Sequence, residues 1–371
     1  MGTKNDSNNM TDKDAILVVG DTRVASESVQ TKDNLPLSDN PAEQQPHITN
    51  LVFEGGGVLG FAYVGVVQAL EERSILHRCT SFAGTSAGAI AAGLLACRAS
   101  PRRLQEALES LDFAKLVDYS YVPFSNSFRL WRHGGIARGE RLEEWFADIL
   151  GELCDGRRNI TLSEVQERFG TRVVATGTCL ETQGPIYYTP ETHGDMSLAR
   201  VVRISSGYPC LFPMIEDTVG EHVWDGGIAD NYPIHVFDTA DTDTDGVVVP
   251  IDRLCAQRVP NAATIGFKLH DRSERLAPAE RSRKTIGNVY DALSSLASML
   301  LQMSRRVHER DIDWQRSVLI DVGNFGALDF DMSDSDKALL VTNGRSATLA
   351  HLDKMRAPAA KLASATTTVN Q

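Results

Sequence analysis

No stretch of this chain is apolar and long enough to cross a bilayer. Its longest uncharged apolar runs, 55–67 and 83–97, fall short of the roughly 18 residues a spanning helix needs, and both carry several glycines. The start of the sequence lacks a basic region followed by a long apolar core, since only residues 15–19 are apolar in a row. Met1-Gly2 invites an N-myristoyl group, but Asp6 stands where that signal wants Ser or Thr. These absences point to a cytoplasmic protein, or to one exported without a standard signal peptide. Cysteine is sparse: six residues, at 79, 97, 154, 179, 210 and 255, with no two closer than 18 positions. That spacing excludes a Cys-x-x-Cys motif and a zinc site, and the density is too low for a disulfide framework. Buried, reduced thiols are expected instead. Positive charge is also short, 37 Lys and Arg against 49 Asp and Glu, a net charge of −12. Such a chain has no overall attraction to phosphate backbones, so nucleic acid is not an expected partner.

Aromatic residues are missing altogether from residues 1–47, where four basic residues face eight acidic ones among Ser, Asn, Thr, Gln and Pro. A segment of this kind cannot bury enough surface to offset its ordering entropy, so a disordered acidic tail is predicted there. Residues 357–371 read the same way. Between them, strand-like and helix-like patterns alternate. Strands are predicted at 50–53, 81–83, 172–178, 247–251, 264–269 and 318–322. Helices are predicted at 61–72, 87–98, 101–111, 139–150, 198–206 and 280–310. Strand–helix alternation argues a mostly parallel sheet covered on both faces, an α/β class.

Three constellations could carry chemistry. Glu54-Gly55-Gly56-Gly57-Val58-Leu59-Gly60 lies between the first strand and a helix. Adjacent glycines let backbone N–H groups converge at a helix N-terminus, which suits a phosphate or a developing oxyanion. The run also contains G-x-G-x-x-G, the dinucleotide fingerprint, but that site wants an acidic residue at the end of the second strand. The second strand here runs into Gly84-Thr85-Ser86-Ala87-Gly88, a G-x-S-x-G elbow that would leave the Ser86 hydroxyl exposed at a helix N-terminus. The alternative is a small-residue turn packed on the sheet. Further on, Trp224-Asp225-Gly226-Gly227 precedes Asp230-Asn231-Tyr232-Pro233. This is either a simple Asp-Gly turn or a carboxylate able to act as general base to a serine.

These motifs, in this order, resemble the patatin-like phospholipase family. The resemblance covers about residues 50–356. It includes Arg203-Ile204-Ser205-Ser206-Gly207-Tyr208-Pro209 and Asn231-Tyr232-Pro233-Ile234-His235 on either side of the aspartate, with Gly266-Phe267-Lys268-Leu269 and Asp329-Phe330-Asp331-Met332 downstream.

The resemblance implies a three-layer α/β/α fold, with residues 48–240 as the catalytic core and 241–356 completing the same unit. It implies a lipid acyl hydrolase of phospholipase A type, working through an acyl-serine intermediate. Ser86 would be the nucleophile and Asp225 the base, with the amides of Gly55, Gly56 and Gly57 as oxyanion hole. Gly60, Gly84, Gly88, Gly226 and Gly227 would support these motifs. No metal and no cofactor is implied. The implied partners are a phospholipid or related lipid and transient contact with a membrane surface. A protein activator would leave no mark in the sequence. One departure stands out: the family often has Lys or Arg where this sequence has Leu59, and Arg138 or Arg203 are the nearby cations that could replace it.

Two alternatives stay open at this point. His235 and His270 follow Asp225 in the Ser–Asp–His order of an ordinary hydrolase triad, and a catalytically silent lipid-binding module could share the fold. The helix predicted at 280–310 also allows two readings. Ile286, Val289, Tyr290, Leu293, Leu296, Leu300, Met303 and Val307 keep helical spacing. They suit a helix packed on the sheet or one lying on lipid.

Overall fold

The computed structural model describes residues 47–111, 139–218, 220–240, 258–270, 286–287, 289–307 and 311–367. The acidic tail, the strand expected at 247–251, Arg138 and Cys255 lie outside the described residues. The first strand, β1 (Asn50–Phe53), leads through a 3-10 turn (Gly57–Phe61) into α1 (Ala62–Glu72). There follow β2 (Ser81–Gly84), α2 (Ala87–Ala96), α3 (Pro101–Ser110), α4 (Glu140–Leu153) and α5 (Leu162–Phe169). Then come β3 (Arg172–Cys179), β4 (Gly184–Tyr188), α6 (Pro190–His193), α7 (Leu198–Ser205), β5 (Ile215–Glu216) and β6 (His222–Asp225). The short β7 (Thr239–Ala240) and β8 (Arg258–Val259) pair apart from the main sheet. The chain ends with β9 (Thr264–His270), α8 (Val289–Val307), α9 (Asp311–Gln315), β10 (Ser317–Asp321) and α10 (Asp334–Thr367).

The main sheet runs β10-β9-β1-β2-β3-β6-β5, with β4 also on β3. From β10 to β3 every pairing is parallel; β4, β5 and β6 are antiparallel. The class is therefore mixed α/β with a mostly parallel centre. Side chains alternate across the strands. Leu51, Phe53, Phe82, Val173 and Ala175 join the large core beneath α1 and α2. Val52, Ala83 and Val174 point the other way, under Tyr232, Ile234 and Val236. Helix α2 is apolar all round, and every one of its residues is buried, as a helix at the centre of a domain must be.

β3 is twice as long as β2, and this length makes the site. Ala175 pairs with Gly84 of β2 and with Tyr188 of β4, so those two strands occupy opposite edges of β3. Gly177 pairs with Ile186 of β4 and with Asp225 of β6. β6 therefore continues the edge on which β2 has just ended, and Asp225 arrives where the chain leaves β2 for Ser86.

The structure departs from the sequence pattern in several elements, among them α6, α9, α10 and the strands β4 to β8, for which the pattern predicts nothing. α8 covers Val289–Val307 rather than 280–310, and residues 271–285, 288 and 308–310 lie outside the described ones. α5 was not expected, although Thr161 and Glu164 form a reciprocal capping box at its start. α10 runs to Thr367, past residue 357 where composition predicts a tail; the alanines at 357, 359, 360, 363 and 365 favour helix. No helix among the described residues is long and apolar enough to cross a membrane.

Candidate active site

Ser86 stands between β2 and α2 with φ +53°, a left-handed conformation that a residue with a Cβ adopts only under constraint. The constraint is packing. A Cβ on Gly88 would lie 2.3 Å from the Phe53 carbonyl oxygen, so only glycine lets α2 start this close to β1. Gly84 and Gly88 abut each other, and Gly60 lies against Ala87. The Ser86 N–H donates to Ser205 Oγ at 3.0 Å, which pins the turn to the end of α7. Thr85 is held from below, its hydroxyl 2.6 Å from that of Thr176 and 3.0 Å from the Asp230 carbonyl.

Asp225 ends β6, its exposure reduced to 1%. Its Oδ1 accepts from the Gly227 N–H at 2.8 Å, and it lines the same cavity as Ser86. Burial pushes its pKa up from 3.8 to about 7, while the Gly227 amide, the Ser86 hydroxyl and the charge of Arg203 pull the other way. Gly226 closes the turn against Thr176, where a Cβ would lie 2.1 Å from the threonine oxygen. Serine and aspartate are thus brought together within the cavity of about 250 Å³ that the glycine loop also lines.

The three loop amides are not equivalent. The Gly55 N–H donates to the Asn231 carbonyl at 3.0 Å, so it is already engaged. Of the three expected oxyanion donors, Gly56 and Gly57 are the ones whose N–H groups bond to no described residue. The reason is the anchoring of the loop, which sequence reasoning missed. Asn231 Nδ2 donates to the Gly55 carbonyl at 3.0 Å, and the buried Glu54 accepts from the Leu269 N–H and faces Lys268 Nζ at 3.7 Å. Lys268 in turn lies over the rings of Tyr232 and Trp314. The charged residue before the glycines and the asparagine after Asp-Gly-Gly were the visible signals.

The walls of the cavity are apolar: Leu108, Leu111, Leu142, Leu211, Phe212, Leu301 and Phe330 among others. Leu59 belongs to them and is buried, so the position where a cation was expected is part of an apolar wall. Arg203 does not replace that cation. It is buried, stacks 4.9 Å over Phe212, and has its pKa lowered to about 10 by burial. Neither triad candidate reaches the cavity, which no histidine lines among the described residues. His235 lies instead 3.2 Å from the Tyr187 hydroxyl and 3.7 Å from Asp230.

The cavity thus brings together a half-buried serine, a buried carboxylate and two amides that bond to no described residue, and a comparison with known proteins decides the family. The family model described as Patatin-like phospholipase matches residues 51–238, just over half of the chain. The chain belongs to the patatin-like phospholipase family. The matched segment holds the glycine loop, Ser86 and Asp225. Among curated relatives, YqhO of Bacillus subtilis (strain 168) is 28% identical over 310 residues, 79% of this chain and 94% of that protein. The Invertebrate iridescent virus 6 protein named "Probable lipid hydrolase 463L" is 24% identical over 191 residues, half of this chain and 62% of its own. VipD from Legionella pneumophila superposes with a TM-score of 0.56 at 18% identity, covering 88% of this chain and 72% of VipD. At that identity the likeness is one of fold.

Proposed function

We propose that this patatin-like protein hydrolyses acyl esters of lipids, in the manner of a phospholipase A, through a Ser86–Asp225 dyad. The observation that carries the reading is the meeting of Ser86 and the buried Asp225 on one cavity wall, the carboxylate's pKa pushed to about 7 by burial with the serine hydroxyl among the groups that hold it down. A base titrating near working pH is basic enough to accept the serine proton and still ionised in about half of the molecules at pH 7.

In the first half-reaction Ser86 Oγ attacks the ester carbonyl carbon while its proton passes to Asp225. The carbonyl oxygen becomes an oxyanion, which the Gly56 and Gly57 amides stabilise at the N-terminal end of the 3-10 turn. Collapse breaks the ester C–O bond, and the leaving alkoxide takes the proton from Asp225. Water then attacks the acyl-serine with Asp225 again as base, releasing a fatty acid and the free hydroxyl. The apolar walls suit an acyl chain and keep bulk water from the carboxylate.

The position of His235 favours the dyad over a triad, since its ring nitrogen faces Tyr187 and Asp230. Hydrolysis of a short-chain ester and of a phospholipid by wild type, Ser86→Ala, Asp225→Asn and His235→Gln tests the assignment. The first two substitutions are expected to lower kcat by about 10³-fold or more and the third to leave it within about threefold. A folded His235→Gln protein as inactive as Ser86→Ala contradicts the dyad, and an inactive wild type leaves a silent lipid-binding module.

A further inference from the structure

We infer that the outer face of α8 is the surface by which the protein seats itself on a phospholipid bilayer, an inference that rests on the lipid-hydrolase reading above. The two faces of this helix differ sharply. Inward, Leu301 lines the cavity and packs on Gly227, the Ser298 hydroxyl meets that of Tyr208 at 2.9 Å, and Ser304 Oγ accepts from the Asn231 N–H at 3.1 Å. Outward, Leu293, Leu296, Met299, Leu300 and Met303 are 40%, 47%, 50%, 39% and 57% exposed. At 100° per residue these five fall on one stripe, which no described element covers. Five large apolar side chains on one helix face are not the scatter of single exposed residues that any soluble surface carries.

The occupant follows from continuity with the cavity and from charge. Leu300 points out and Leu301, the next residue, reaches the cavity wall, so an apolar path from the stripe to the Ser86 site is a single helix step wide. A lipid presented by an aggregate has to leave it at such a place. Methionine adapts to a fluid, irregular surface better than branched side chains do. The sequence carries Arg305 and Arg306 two and three positions after Met303, residue types that favour headgroup phosphate. A second copy of the chain is the poorer fit, because each copy carries a net charge of −12.

The test uses the full chain in a Ser86→Ala background, so that bound vesicles stay intact, and measures flotation with phosphatidylcholine vesicles. Replacing Leu296, Met299 and Met303 together by Ser should lower partitioning by about tenfold or more, while Leu296→Trp should raise it. With Ser86 restored, the triple variant should hydrolyse a dissolved short-chain ester at the wild-type rate and vesicle phospholipid more slowly. Equal flotation of wild type and triple variant overturns the inference, and so does a wild-type dimer in solution that the triple substitution dissociates. An enzyme inactive on dissolved ester that still floats through this stripe refutes the hydrolase reading and leaves the docking face standing.

Discussion

Asp225 sits two residues beyond Gly84 along the same edge of β3, Gly84 opposite Ala175 and Asp225 opposite Gly177. Two strands of opposite direction thus meet end to end against one long partner. The serine turn leaves the first and the carboxylate closes the second. The closeness of Ser86 and Asp225 is therefore a product of sheet register.

That burial has a signature in stability. Between pH 3.8 and about 7 the folded protein holds a proton on Asp225 that the unfolded chain has released. The contribution is fully present below the lower value and lost as pH rises through the upper one. Asp225→Asn removes the charge that must be buried, so its Tm should exceed that of wild type at pH 8 by a few degrees, with the gap closing toward pH 5. Differential scanning calorimetry at both pH values reads this; a variant less stable at pH 8 means that Asp225 is held by favourable contacts the account omits.

Activity should mirror the same ionisation. The base must be deprotonated, so wild-type kcat should rise with pH through a single step near 7 and then level off. A profile flat from pH 5 to 9 points to a carboxylate of ordinary pKa.

The two glycines whose amides bond to no described residue should differ on substitution. Gly57 has φ +55° and a Cβ there would lie 2.1 Å from the Ala327 carbonyl oxygen, whereas a Cβ on Gly56 meets the flexible end of Leu269. Gly57→Ala should therefore lower kcat by about 10²-fold with KM little changed, and Gly56→Ala by less. Steady-state kinetics on a dissolved ester separates the two, and a Gly57→Ala enzyme altered only in KM would move the loop from oxyanion to substrate binding.

Beneath the loop, Glu54→Gln removes the buried carboxylate charge that accepts from the Leu269 N–H and faces Lys268. The change should destabilise the fold by about 3 kcal/mol. Chemical denaturation measures it, and Glu54→Gln combined with Lys268→Met should recover part of the loss. A single variant as stable as wild type shows that the pair is not what anchors the loop.

Much of this was legible in the sequence. Three adjacent glycines, G-x-S-x-G and Asp-Gly-Gly are local patterns, and local geometry forces their roles: only small residues fit where α2 crosses the end of β1. The parallel strands read easily because most are short apolar runs buried on both faces, as in β1 and β9. The antiparallel strands did not, since β5 has two residues and β6 four, and their pairing depends on how far β3 outlasts β2. Gly55 was indistinguishable from its neighbours in sequence, because its amide is engaged by Asn231, 176 positions away. Arg203, the cation expected to stand in at position 59, is buried over Phe212 instead, since an exposed and an internal arginine have the same helical spacing.

The most direct test of the central claim is covalent. A fluorophosphonate reacts with a serine only where a base activates the hydroxyl and amides receive the phosphoryl oxygen, so peptide mass spectrometry after labelling asks for both at once. The account predicts a single adduct on Ser86, abolished in Ser86→Ala and strongly slowed in Asp225→Asn. Label on another serine, or undiminished labelling of Ser86 in Asp225→Asn, would contradict it.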